Sequence, residues 1–194
     1  MTDIEQHYVD IGELEVRSSS DGKFVGQIAG YALKFDKPSV SRGPFIEYIR
    51  TGALNGVDLT EVLALFEHDY ASLLGRVDAG TLSLHVDDVG LHFVLDVPDT
   101  TLGRDVYNNV KLGNLKGMSF GFVVAKGGDE WKQGEKPTRI INKIAELKEI
   151  SVVSEPAYDD TSVQVTRSLS AFFDAQNEHE YREKVRIYLG GTDE

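Results

Sequence analysis

The chain has 194 residues, with 32 Asp+Glu against 20 Lys+Arg and a formal net charge of −12, and 41% of it is apolar. That is the composition of one soluble globular domain of ordinary size with room for an appendage. The acidic balance argues against nucleic acid, because phosphate neutralisation needs clustered Lys and Arg. The absence of cysteine excludes a disulfide frame, a thiol nucleophile and cysteine-ligated zinc. No membrane partner is expected either: the longest apolar run, Val62 to Phe66, is too short to cross a bilayer, and Met-Thr-Asp-Ile-Glu at the start is no secretory signal.

The first part reads as strands. Glu13 to Ser19 alternates, Asp21-Gly22 supplies a hairpin turn, and Lys23 to Leu33 returns as a second strand, interrupted by Gly26 and Gly30 where it bends or is closely approached. Pro44 opens a short helical stretch, Phe45 to Leu54, in which Phe45 and Ile49 are four apart. Val62 to Phe66 is a buried strand with His68-Asp69 just beyond it. Leu82 to Val86 and Leu91 to Val97 flank the turn Asp87-Asp88-Val89-Gly90, with Leu82, Leu84, Val86, Leu91, Phe93, Leu95 and Val97 on one face.

Thr100 or Thr101 caps a helix to about Leu112, with Leu102, Val106 and Val110 on one stripe and Gly113 past its end. Met118 to Ala125 is a strand, and Lys126 to Pro137 is a Gly- and charge-rich loop. Two more strands run from about Arg139 to Ile144 and from Leu147 to Val153, and Val163 with Val165 adds a short edge strand. From about residue 166 the chain becomes an amphipathic tail, with Tyr181, Val185 and Tyr188 on one face, separate from a domain at 1–165. The fold class is mainly β with helices (α+β), a compact closed or partly closed β-barrel with a few helices around it.

Three segments carry chemistry. In Lys116 to Val124, strand geometry puts Met118, Phe120, Phe122 and Val124 on a core face and leaves Ser119 on the other, between Gly117 and Gly121. A serine in open ground on a rigid strand suits a nucleophile, and side-chain-free neighbours let an extended peptide approach; the same pattern also suits a bulge with an incidental serine. A serine needs a base, and His68, at the surface end of an apolar strand between Glu67 and Asp69, is the best placed of five histidines. In Leu147 to Tyr158, Glu149 shares a face with Ser151 inside an otherwise apolar strand, a costly place for a carboxylate unless a donor such as a histidine meets it. His85 and His92 lie opposite each other across their hairpin and form a rival pair, but a metal site needs a third ligand that the sequence does not name. No metal and no cofactor are expected.

Together these segments resemble the caudovirus prohead serine proteases, the capsid-maturation proteases of Hong Kong 97-type phages. The matching pieces are Gly30-Tyr31-Ala32, Phe35, Phe45-Ile46-Glu47, Gly52-Ala53-Leu54, Leu65-Phe66-Glu67-His68-Asp69, Leu74-Gly75-Arg76, Gly117-Met118-Ser119-Phe120-Gly121-Phe122, and Leu147 to Val153 through Pro156-Ala157-Tyr158. The resemblance covers about residues 24 to 165. It implies a herpesvirus-assemblin-like barrel and a serine endopeptidase that cleaves the scaffold portion of the major capsid protein, and itself, inside the prohead in the host cytoplasm. Ser119 is then the nucleophile, His68 the general base and Glu149 the third member, with Asp69, Glu146 or Glu155 as alternative orienting acids. Gly117, Gly121 and Phe120 would line the substrate strand. Implied partners are the major capsid protein with its scaffold segment and a second copy of the chain. The competing class is a non-catalytic β-barrel that binds scaffold or capsid.

Overall fold

A computed structural model of the protein describes residues 4–10, 14–18, 22–39, 45–154 and 175. The chain divides into two units at Asp160/Thr161, and the strands and helix named below all belong to the first. The expected edge strand at Val163 and Val165 and the amphipathic character of the tail fall outside the described residues.

Twelve strands and one helix are present among the described residues: β1 (Glu5–Asp10), β2 (Glu15–Ser18), β3 (Phe24–Lys34), β4 (Ile46–Ile49), β5 (Leu63–Phe66), β6 (Asp69–Arg76), β7 (Leu82–Val86), β8 (Gly90–Pro98), α1 (Thr101–Lys111), β9 (Gly117–Val124), β10 (Asp129–Lys132), β11 (Thr138–Ile141) and β12 (Ile144–Val153). They form three sheets, ordered β1-β9-β12-β5-β6, β10-β11-β4 and β2-β3-β8-β7. The fold is mainly β, as expected. Among the described residues no sheet closes on itself, and α1 is the one helix whose bounds are described, with Ala175 also helical. The sheets share a core in which Ile28, Phe93 and Leu95 of one sheet and Phe120, Phe122, Ile150 and Val152 of another are buried together with Val106 and Val110 of α1.

Local chemistry explains the elements that form as expected. Val86 pairs with Leu91 and His85 with His92 across the β7–β8 hairpin, and the turn is tied by Asp87, whose carboxylate accepts the Val89 and Gly90 amides at 2.8 and 2.9 Å. Thr100 caps α1 by accepting the Gly103 amide at 3.0 Å. Gly26 meets the close approach expected of it: a β-carbon there would stand 2.4 Å from the Arg17 carbonyl oxygen and 2.5 Å from the Tyr107 ring.

Phe45 to Leu54 is not a helix. Ile46–Ile49 is a strand, parallel to β11 and bridged to Pro38 through Tyr48, and turns follow it. The reason is periodicity: a spacing of four satisfies an alternation of two as well as a helical turn, and Phe45, Glu47 and Ile49 are all buried while Ile46 and Tyr48 are half-buried. Strands β1, β6 and β10 add to the elements expected from the sequence; the last lies inside the segment that reads as a loop.

Candidate active site

The site is built on the face of the five-stranded sheet that points away from the main core. In the antiparallel β9–β12 ladder, Ser119 lies opposite Ser151, Gly121 opposite Glu149, and Phe120 opposite Ile150. Cross-strand partners point the same way with β-carbons about 5 Å apart. Ser119, Ser151 and Glu149 therefore share one face, and Phe120 and Ile150 lie in the core beneath. The residue opposite Glu149 has to be small. A β-carbon on Gly121 would stand 2.5 Å from Glu149 Oε1, so the glycine makes room for the carboxylate.

His68 reaches this face from the β5–β6 hairpin. Phe66 pairs with Asp69, leaving Glu67 and His68 as a two-residue loop. Both take left-handed backbone, with φ of 52° and 57°, the pattern of a type I′ turn. Neither is the glycine or asparagine such a turn prefers, so the conformation must be held from outside. Strand β12 holds it. The Glu67 amide donates to the Val152 carbonyl at 3.1 Å, the His68 amide donates to Ser151 Oγ at 3.2 Å, and the Glu67 carboxylate accepts the Ser154 amide at 2.7 Å. The His68 ring is thereby delivered to Glu149, with Nδ1 2.8 Å from Oε1. Ser151 Oγ donates to the other oxygen of the same carboxylate at 2.5 Å. The result is a closed ring of bonds: His68 imidazole, Glu149, Ser151, His68 backbone. Burying a carboxylate is offset here because both its oxygens are met by donors.

Of the four acids considered for the ring, Glu149 is the one bonded to it among the described residues. Asp69 accepts the Ala71 amide and the Ser72 hydroxyl and so ties its own turn. Glu146 pairs with Lys148 at the surface, and Glu155 lies outside the described residues. Ser119 departs from expectation in one respect. It is fully buried, not in open ground, because β9 is covered on both faces. Phe120 places its ring against Phe122 in the core, and Gly117 sits in ladder register between Asp10 and Val153. Ser151 is the residue of this site that sequence reasoning misses as a functional group; its place two positions after Glu149, on the same strand face, is the available signal. His85 and His92 do face each other, but His92 lies edge-on to the Tyr31 ring, and no three metal-ligating side chains cluster among the described residues.

No curated protein matches the sequence. Among solved structures the chain is similar to the bacteriophage T4 capsid assembly protease, gp21, with 13% sequence identity, a TM-score of 0.45, and coverage of 77% of this chain and 98% of that one. The family model described as caudovirus prohead serine protease matches residues 12–174. With most of its length matched, blocks of the histidine, the serine and the glutamate included, the chain belongs to the caudovirus prohead serine protease family.

Proposed function

We propose that this chain is a serine endopeptidase of phage capsid maturation that cuts the scaffold portion of the major capsid protein, and itself, inside the assembling prohead in the host cytoplasm. The observation that carries this reading is the hydrogen-bonded set of His68, Glu149 and Ser151 on the sheet face that Ser119 shares, in a chain of a serine-protease family.

Each residue has a role that follows from its place. With Glu149 holding Nδ1–H, the proton-accepting position of the His68 ring is Nε2, the tautomer a general base requires. Ser119 attacks the scissile carbonyl as His68 takes its proton, and His68 returns that proton to the leaving amine. Glu149 keeps the ring in orientation and stabilises the imidazolium that forms between the two steps. The substrate lies as an extended strand along β9, with the peptide groups of Gly117, Phe120 and Gly121 as its partners.

The test is Ser119→Ala, co-expressed with the phage's major capsid protein. The variant is expected to fold with unchanged stability, and the capsid protein is expected to keep its full mass. Scaffold removal at the wild-type rate would refute the assignment.

A further inference from the structure

If an extended substrate pairs with β9, it needs a hydrogen-bonding edge of that strand, and β9 has two. One is filled by β12 through its whole length. The other is filled by β1, which runs antiparallel from Glu5 opposite Phe122 to Asp10 opposite Gly117, with Tyr8 opposite Ser119. We propose that residues 4–10 are the built-in occupant of the substrate site, a strand that stands where the scissile peptide must lie and has to leave before cleavage. This rests on the reading of Ser119 as nucleophile.

Four observations support it. A nucleophile that is 0% exposed meets no substrate until something moves. The strand alongside it lies ahead of the residues that the family model matches, 12–174. Ile4, just ahead of the strand, lies over the site itself: its Cγ2 is 3.2 Å from where a β-carbon on Gly121 would be. The strand is also fastened by a latch that can open without orphaning a buried charge. Glu5 is buried against Arg139 of β11, which it meets with both carboxylate oxygens. Arg139 is at the same time held by Glu47 at 3.0 Å and Asp129 at 2.7 Å.

Three carboxylates around one guanidinium leave surplus negative charge in a poorly solvated place. Burial pushes the Glu5 carboxyl above the usual range; Arg139 pulls it down, and Glu47 and Asp129 push it up again. When Glu5 departs, Arg139 keeps two acidic partners and no buried charge is orphaned, which is the condition that makes breaking a buried pair tolerable. The ligand class is thus an extended peptide held by its backbone, supplied in cis by this chain and in trans by the capsid scaffold.

The test uses the full chain, with a fluorophosphonate reporting how fast Ser119 is modified. Glu5→Ala removes both carboxylate bonds of the latch, and Tyr8→Pro removes a backbone donor and disrupts the ladder opposite Ser119. Both variants are expected to label at least about tenfold faster than wild type, a factor within the worth of one charge-assisted hydrogen bond. Adding the synthetic heptapeptide Ile-Glu-Gln-His-Tyr-Val-Asp in excess is expected to slow the variants again. Labelling of both variants at the wild-type rate overturns the proposal while leaving the nucleophile assignment intact. No labelling of Ser119 in any form removes the protease reading and this proposal with it.

Discussion

Gly121→Ala tests the packing of the site most directly, because the added methyl carbon would stand 2.5 Å from Glu149 Oε1 where ordinary contact begins at 3.4 Å. The oxygen must therefore retreat by about 0.9 Å, and it has nowhere free to go. Glu149 is 2% exposed, Oε1 is 2.8 Å from His68 Nδ1, and Oε2 is fixed by Ser151. A shift of that size away from the ring breaks the bond to Nδ1 and one toward it crowds Nδ1, so the hydrogen bond is lost or distorted either way. Losing a charge-assisted hydrogen bond costs about 1.5–3 kcal/mol, which for a domain of this size lowers the unfolding midpoint by roughly 3–12 °C. Catalysis should suffer more, since an imidazole released by its acid loses up to about 10⁴ in kcat. The assays are thermal unfolding and the rate of capsid-protein cleavage, with Gly22→Ala as control because no atom lies within 4 Å of a β-carbon there. A Gly121→Ala protein with wild-type midpoint and wild-type rate would show that the glycine does not make room for the carboxylate.

Two further outcomes follow from the hydrogen bonds. Ser151→Ala removes the donor to Glu149 and the acceptor for the His68 amide, and is expected to lower kcat by roughly 10- to 100-fold, the cost of orphaning one buried polar group. KM should be unchanged, because Ser151 positions the base and does not touch substrate; an unchanged kcat would remove it from the machinery. Asp87 is held below the ordinary carboxyl value of 3.8 by the Tyr31 hydroxyl, with the Gly90 and Val89 amides adding to it. The folded value is the lower one, so this stabilisation is present above the unfolded pKa and lost as pH falls through the folded one. Asp87→Asn should therefore lower the unfolding midpoint at neutral pH, with the gap to wild type closing below about pH 4; a gap that stays constant into acid would refute this linkage.

What is legible in the sequence is short-range. The cap at Thr100, the Asp87–Gly90 turn and the strict alternation through β7 and β8 are decided by residues within a few positions of one another, so the sequence alone reads them correctly. The family is also legible, because the residues around Ser119, His68 and Glu149 carry its pattern. Helix and strand remain ambiguous where the apolar spacing is four, at Phe45 and Ile49, and there pairing with β11 chooses the strand.

The acid that meets the His68 ring, the bonds made by Ser151 and the open arrangement of three sheets are decided only in three dimensions. Alternation along a strand says which side chains share a face, but not which strand lies alongside. That choice depends on long-range competition for hydrogen-bonding edges and on what covers each face. Ser119 illustrates the division: sequence alone places it on the face away from the core, and tertiary structure surrounds it, with β12 on one side and β1 on the other.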